Sequence, residues 1–349
     1  MPTFVWLLNF DADAELAQAK GAYSPTDPVR KRSAELVSKL VGLVDTDDVV
    51  VGTDVSAPLN LGGLKVPRID LVARAWSPTP QVIRAFSRAG VAPPASPGVD
   101  ILRRVNGRSF NATLGSALPG AFFSSNEEEI LQAIRQDPVA SQAGSWLLKR
   151  QHAFAGRGRR SIRPNEISNG DLLWIRASVG EGEGLQIEPR VERMLDVAQH
   201  GFIGRSGIVL FGEPTVQRCD ETGAWLETRR ANDELWSSER DRLASELNRA
   251  ASALVEAGYF GPFGIDGFRW IDRTSHPQFQ PRCEINARYT MGWAIGMGSS
   301  RPDRTPGLAP TETIFSRRFF AILERMTTIK LSPHRGCFGV GFWLLLLFR

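Results

Sequence analysis

The stretch CEINARYTMGW, residues 283–293, places a carboxylate, an amide and a guanidinium at alternate positions, Glu284, Asn286 and Arg288. Alternate side chains of a strand point to one face. All three would therefore project together, with Ile285 and Ala287 behind them. A solvated polar strand face is the plain alternative, since antiparallel strands often alternate this way. The segment GYFGPFGIDGFRW, residues 258–270, argues for more. It sets Asp266 on a strand, and DRTSHP, residues 272–277, supplies a turn that returns the chain to put Asp266 opposite Glu284. Two facing carboxylates repel each other. With an amide oxygen they form a hard donor set suited to Mg2+, which shares its shell with phosphates and water.

Two further segments carry chemistry. LLKRQHAFAGRGRRSI, residues 147–162, delivers Lys149 and Arg150 on a strand and follows them with a loop holding Gly156 and Gly158. Glycines let backbone N–H groups approach an anion closely, and lysine is a compact charge for a phosphate. The loop is neither a P-loop nor a GxGxxG dinucleotide turn. His152 beside it reads as a plain loop histidine in preference to a phosphate contact. In LQIEPRVERMLDVAQHGF, residues 185–202, Glu188 closes a strand, Pro189 breaks it and Val191 begins another, with Glu192 and Asp196 following. Such a linker can offer backbone groups to a base edge and an acid to a ribose.

The rest of the chain organises around these segments. Phe4–Phe10 and DVVVG, residues 48–52, read as buried strands. Asp27-Pro28 and Thr79-Pro80 each open a helix, and Gly90 closes the second. This β/α alternation predicts a small parallel sheet. Ser125-Asn126-Glu127-Glu128 reads as a capping box. Ile208–Phe211 and Thr215–Cys219 are strands expected to pair. Residues 239–257 form an amphipathic helix with Leu243, Leu247, Ala250 and Leu254 on one stripe, Ser238 as its cap and Gly258 past its end.

Composition sets limits. At 349 residues, 42% hydrophobic and 23% charged, the chain suits two or three domains of about 100–200 residues each. A net charge of +4 with scattered arginines gives no basic stripe for nucleic acid. Cys219, Cys283 and Cys337 have no metal or disulfide spacing, which fits a reduced cytoplasm. The opening residues lack a basic leader and cleavage site. The apolar run within CFGVGFWLLLLFR, residues 337–349, is shorter than the roughly 20 residues a bilayer requires.

Taken in order, LLKR with its glycine loop, IEPRVE, GIDGF and CEINAR resemble the ATP-grasp superfamily. The likeness covers residues from about 100 to 300, and E-x-N with its upstream Asp is its most specific part. It implies an α/β fold, an α+β ATP-grasp module preceded by a small Rossmann-like domain. The expected segments are 1–100 (Rossmann-like), 101–190 (phosphate loop), 191–330 (Mg site) and 331–349 (apolar tail). By the same resemblance, ATP is the cofactor. Lys149 contacts the α-phosphate, Gly156 and Gly158 close over the β- and γ-phosphates, and Glu188 and Val191 mark the adenine hinge. Asp196 is the ribose acid, with Glu192 its rival. Asp266, Glu284 and Asn286 hold one or two Mg2+ ions, with Mn2+ as a substitute, and Arg288 faces the transferring phosphoryl group. Where relatives carry an upstream lysine, ILRRVNGRSF offers Arg103, Arg104 and Arg108, and Arg108 is favoured. The implied activity is ATP-dependent joining of a carboxylate to an amine or peptide through an acyl phosphate. The alternatives are a small-molecule kinase and a non-catalytic nucleotide-binding module. Small-molecule substrates and a homodimer are the expected partners, with no membrane. Tyr289, Met291 and Trp293 either shape the acceptor pocket or belong to the core.

Overall fold

The computed structural model describes residues 3–18, 23–62, 64, 66–115, 117–152, 158–180, 183–219, 225–299 and 301–304. Gly156 and the apolar tail at 331–349 lie outside them. The chain begins with strand β1 (Thr3–Leu7), helices α1 (Ala12–Ala17) and α2 (Asp27–Val37), β2 (Val49–Gly52), β3 (Leu71–Ala75) and α3 (Pro80–Arg88). The strands form a parallel sheet in the order β2-β1-β3. Alternation along β1 splits its side chains between two cores. Val5 and Leu7 pack with Val51, Ala73, Val82 and Phe86, while Phe4, Trp6 and Leu8 pack with Tyr289 and Trp293. The first strand ends earlier than the predicted Phe10, because Asn9 leaves the ladder to bond the loop after β3. Its Nδ2 donates to the Ser77 carbonyl at 3.0 Å, and its Oδ1 accepts from Ser77 N at 3.2 Å. Thr26, not Asp27, is the residue before α2, which moves Pro28 one position into the helix.

Next come α4 (Val99–Val105), α5 (Arg108–Thr113), β4 (Phe122–Ser124), α6 (Glu127–Ile134), β5 (Trp146–Arg150), β6 (Arg159–Ile162), α7 (Asn169–Gly180) and β7 (Leu185–Pro189). Their strands make an antiparallel sheet ordered β4-β7-β5-β6. Ile130, Ile134, Leu148, Ile175 and Ile187 fill the core between this sheet and its helices. Asn126 caps α6, accepting from Glu128 N at 2.9 Å and Glu129 N at 3.2 Å, so the cap is Asn126 and the box expected from Ser125 does not form: Asn126 N donates to Ser124 Oγ at 2.9 Å instead.

The last part contains β8 (Glu192–Ile203), β9 (Val209–Phe211), β10 (Thr215–Cys219), β11 (Trp225–Arg230), α8 (Ser237–Glu256), β12 (Gly261–Ile271), β13 (Pro277–Asn286) and α9 (Trp293–Met297). The sheet runs β11-β10-β8-β12-β13, and β9 also pairs with β8. The expected pairing of β9 with β10 does not occur. Both lie end to end along one edge of the long β8, opposite Gly201–Ile203 and Asp196–Ala198 respectively. Pro214, which has no N–H to give a ladder, stands at the break. Leu243, Leu247, Ala250 and Leu254 of α8 are buried against Val197, Ile265 and Ile285, as the periodicity required. The helix begins one residue before Ser238, and Trp236 occupies the cap position, its N–H bonded to Glu239 Oε2 at 2.9 Å.

Arg282 ties these parts together. Its fully buried guanidinium donates to Glu246 Oε2 on α8 at 3.0 Å, to the Asn111 carbonyl at 2.9 Å and to the Gly115 carbonyl at 2.6 Å. A buried cation is tolerable only when its donors are satisfied in this way.

Candidate functional site

Register decides which side chains meet. Asp266 on β12 stands opposite Glu284 on β13 and Ala198 on β8, while Gly264 stands opposite Asn286 and His200. The intervening Val197, Ile265 and Ile285 belong to the α8 core. Asp266, Glu284 and Asn286 therefore share the other face, as the alternation predicts. Asp266 Oδ1 accepts from Gln217 Nε2 at 2.9 Å, and its Oδ2 accepts from Asn286 Nδ2 at 2.8 Å. Burial, and after it the charge of Glu284, pushes Asp266 up to about 6. Glu284 Oε1 accepts from Arg108 at 3.1 Å, and Arg108 also donates to the Arg150 carbonyl at 2.9 Å. Of the three candidate arginines, Arg108 alone is bonded to this acid row. Arg103 donates to the Leu16 carbonyl, and Arg104 lies over Phe110.

Arg288 departs from the expected pattern. The strand ends at Asn286, and Arg288 sits in the bend beyond it. Its guanidinium turns to Asp13 on α1, with the Arg288 NH2 group donating to Oδ2 at 2.7 Å and Nε at 3.2 Å. It remains within the field of Glu284 and Asp266.

On the four-stranded sheet, Lys149 forms a buried ion pair with Glu188. β5 and β7 place them on neighbouring strands, Lys149 beside Gln186 and Leu147 beside Glu188. A cavity of about 500 Å3 adjoins this pair, with Gln186, Glu188, Phe123, Leu118, Arg282 and Cys283 in its lining. Gln186 Oε1 is buried with no hydrogen-bond partner. Val191 packs against the cluster of Leu118, Ala140, Phe268 and Trp270, as does Cys283. Asp196 stands in register with Gln217 and Phe268 and is bonded by Arg193 at 3.0 Å, whose guanidinium centre is 3.9 Å from the Phe268 ring centroid. Glu192 lies at the exposed start of β8, away from that row. Gly158 adopts φ +66, a conformation glycine takes without strain, and its carbonyl accepts from Arg150 N at 2.8 Å.

Cys283 joins the two groups. Burial pushes its thiol up to about 12, with Arg193 and Lys149 lowering it and Asp266 and Glu188 raising it. Lys149 and Glu188 from one sheet and Asp266 from the other therefore converge on a single thiol. A small parallel sheet precedes two antiparallel sheets whose charged faces meet. The fold is of the α/β class.

No family model matches the chain, and no curated protein matches it. Solved structures do. One is an N5-carboxyaminoimidazole ribonucleotide synthetase from Thermus thermophilus, 17% identical, TM-score 0.45, covering 82% of this chain and 71% of that one. Another is a biotin carboxylase from Campylobacter jejuni, 12% identical, TM-score 0.43, covering 85% and 68%. The biotin carboxylase domain of a 2-oxoglutarate carboxylase from Hydrogenobacter thermophilus, in complex with MgADP, is 17% identical with TM-score 0.42. That match covers 59% of this chain and 45% of that domain's chain. At these values no activity passes from them to this protein.

Sequence reading missed Asp13, Gln217, Arg193 and Cys283. FDADAE after the first strand, three acids at alternate positions, was the available signal for Asp13. His152 is not a plain loop residue. It is 6% exposed, its Nδ1 has no partner, and burial pushes it down to about 4. Tyr289 and Trp293 are core, edge to face at 4.9 Å, and Trp293 Nε1 donates to the Gly201 carbonyl at 2.9 Å. Among the described residues, no group of three His, Cys, Asp or Glu gathers as a metal set, and no helix is long and apolar enough to cross a membrane.

Proposed function

We propose that the protein is an ATP-dependent ligase that activates a carboxylate as an acyl phosphate and joins it to an amine. The convergence of Lys149–Glu188 and Asp266–Glu284–Asn286 about Cys283 carries this reading. In it, residues 1–100 form the Rossmann-like part, 101–190 the phosphate-loop part and 191–330 the metal part.

The donor set fits Mg2+. Asp266 and Glu284 face each other, burial disfavours the Asp266 charge, and a divalent cation between the two carboxylates relieves their repulsion better than a proton does. Asp266, Glu284 and the Asn286 amide would hold it, with Mn2+ as a substitute. When bound, the ion neutralises charge on the phosphates. Lys149 is buried beside Glu188, so it offers a positioned cation to a phosphate while Glu188 keeps that cation tolerable. In this reading Glu188 and Val191 mark the adenine hinge, and Asp196 serves as the ribose acid with Glu192 its rival. Arg288, near both metal acids, is the cation for the phosphoryl group in transfer and for the acyl phosphate. An acyl phosphate hydrolyses in water, and the Gly156–Gly158 segment is the part of the chain assigned to exclude it. The arrangement calls for no nucleophilic side chain, and a reduced cytoplasm suits the free thiol of Cys283.

The test is incubation with ATP, Mg2+ and a library of carboxylates and amines. Ligation releases ADP and phosphate only when both substrates are present. A phosphorylated product that accumulates without an amine would make the protein a kinase instead. ATP binding without any turnover would make it a nucleotide-binding module.

A further inference from the structure

We infer that Arg193 is a displaceable plug: its guanidinium fills the place of the nucleotide base and must swing out before ATP seats. The inference rests on the ligase reading and adds a gate to its donor site.

The first argument is backbone register. Residues three apart in a regular strand point to opposite faces. On β8, Leu195 stands opposite Arg269 and Arg193 opposite Trp270, so Met194 is one residue too many. This bulge returns Arg193 to the face that carries Asp196, which is in register with Phe268. Bulges beside functional sites re-aim a side chain in this way.

The second argument is what the guanidinium touches. Its centre lies 3.9 Å from the Phe268 ring centroid, and it donates to Asp196 Oδ1 at 3.0 Å. Phe268 belongs to the apolar cluster against which Val191 packs, and the ligase reading puts Val191 at the adenine hinge. Asp196 is the ribose acid of the same reading. Arg193 therefore spans the base side and the ribose side together. One face of an aromatic ring takes one planar partner at contact distance. A base that stacks on Phe268 and a ribose that donates to Asp196 need the two contacts that Arg193 holds.

The third argument is that these contacts can be broken. The Arg193 side chain is 36% exposed and the neighbouring Met194 is 56% exposed, so solvent lies beside the way out. A cation–π contact and an ion pair at such a site are each weak. Base stacking and a ribose hydrogen bond together exceed them. A plug seated about nine-tenths of the time lowers the apparent affinity for ATP roughly tenfold. It also keeps the Phe268 face covered against other planar molecules.

The test is calorimetric titration of the full chain and of Arg193→Ala, in Mg2+, with ATP, adenosine and inorganic tripolyphosphate. We expect Arg193→Ala to bind ATP and adenosine roughly tenfold more tightly and tripolyphosphate no more tightly than the wild type. Arg193→Met keeps the apolar stem without the planar head, and it should show the same direction of change if the alanine variant does not fold. Unchanged or weakened ATP binding in a folded variant would make Arg193 a bystander or a nucleotide ligand. A gain shared by tripolyphosphate would place the effect outside the base pocket. Each of these results overturns the plug and leaves the ATP reading standing. ATP that binds neither the wild type nor the variants overturns both.

Discussion

Asp266 and Glu284 face each other across adjacent antiparallel strands, and Asn286 bridges to Asp266 at 2.8 Å. Glu284→Gln removes one charge from this pair while keeping its shape. Turnover should fall by roughly 100-fold, because the metal loses an anionic ligand. The Asp266 carboxyl should titrate below about 6, since the Glu284 charge helps hold it there. Substrate-dependent ADP release and carboxyl NMR measure the two effects. Unchanged turnover would discard the metal assignment.

Lys149 and Glu188 form a buried pair with side chains 11% and 9% exposed. Lys149→Met leaves Glu188 buried and unpaired, at a cost of about 3–5 kcal/mol. Adding Glu188→Leu should restore most of that stability without restoring ATP affinity. Urea unfolding and nucleotide titration separate the outcomes. A double variant that binds ATP normally would show that the wrong lysine was chosen.

His200 is fully buried and pushed down to about 3 by burial. Unfolded, it binds a proton near about 6.5. Unfolding therefore takes up a proton throughout that interval. The stability contributed by the neutral ring is complete above about pH 6.5 and is lost as pH falls, by on the order of 1.4 kcal/mol per unit. His152 acts in the same direction down to about 4, while Asp266, raised to about 6, acts in the opposite one. His200→Leu should reduce the acid-limb slope by about one proton. A slope equal to that of the wild type would mean the ring is not held neutral.

Gly296 lies where a Cβ would come within 2.6 Å of His200 Nδ1, and a Cβ at Gly292 or Gly264 would also crowd that ring. Gly296→Ala should destabilise the protein by about 1–3 kcal/mol through overpacking. His200→Ala should make the same change nearly neutral. Thermal unfolding of the four proteins in the cycle gives the coupling, and strict additivity would contradict the contact.

The chemistry-bearing segments were legible because they are local. A period of two put Glu284 and Asn286 on one face, and a single turn put Asp266 opposite Glu284. The stripe on α8 and the β/α alternation at the start were legible for the same reason, since periodicity is a property of neighbours along the chain. Only the tertiary structure decided that β9 and β10 share an edge of β8, and that Arg282 joins β13 to α8 and the loop at Gly115. It alone turned Arg288 from the acid row to Asp13, 275 residues away in sequence. A guanidinium takes whichever carboxylate the fold brings within reach, and Coulomb attraction depends on distance in space, which spacing along the chain does not encode.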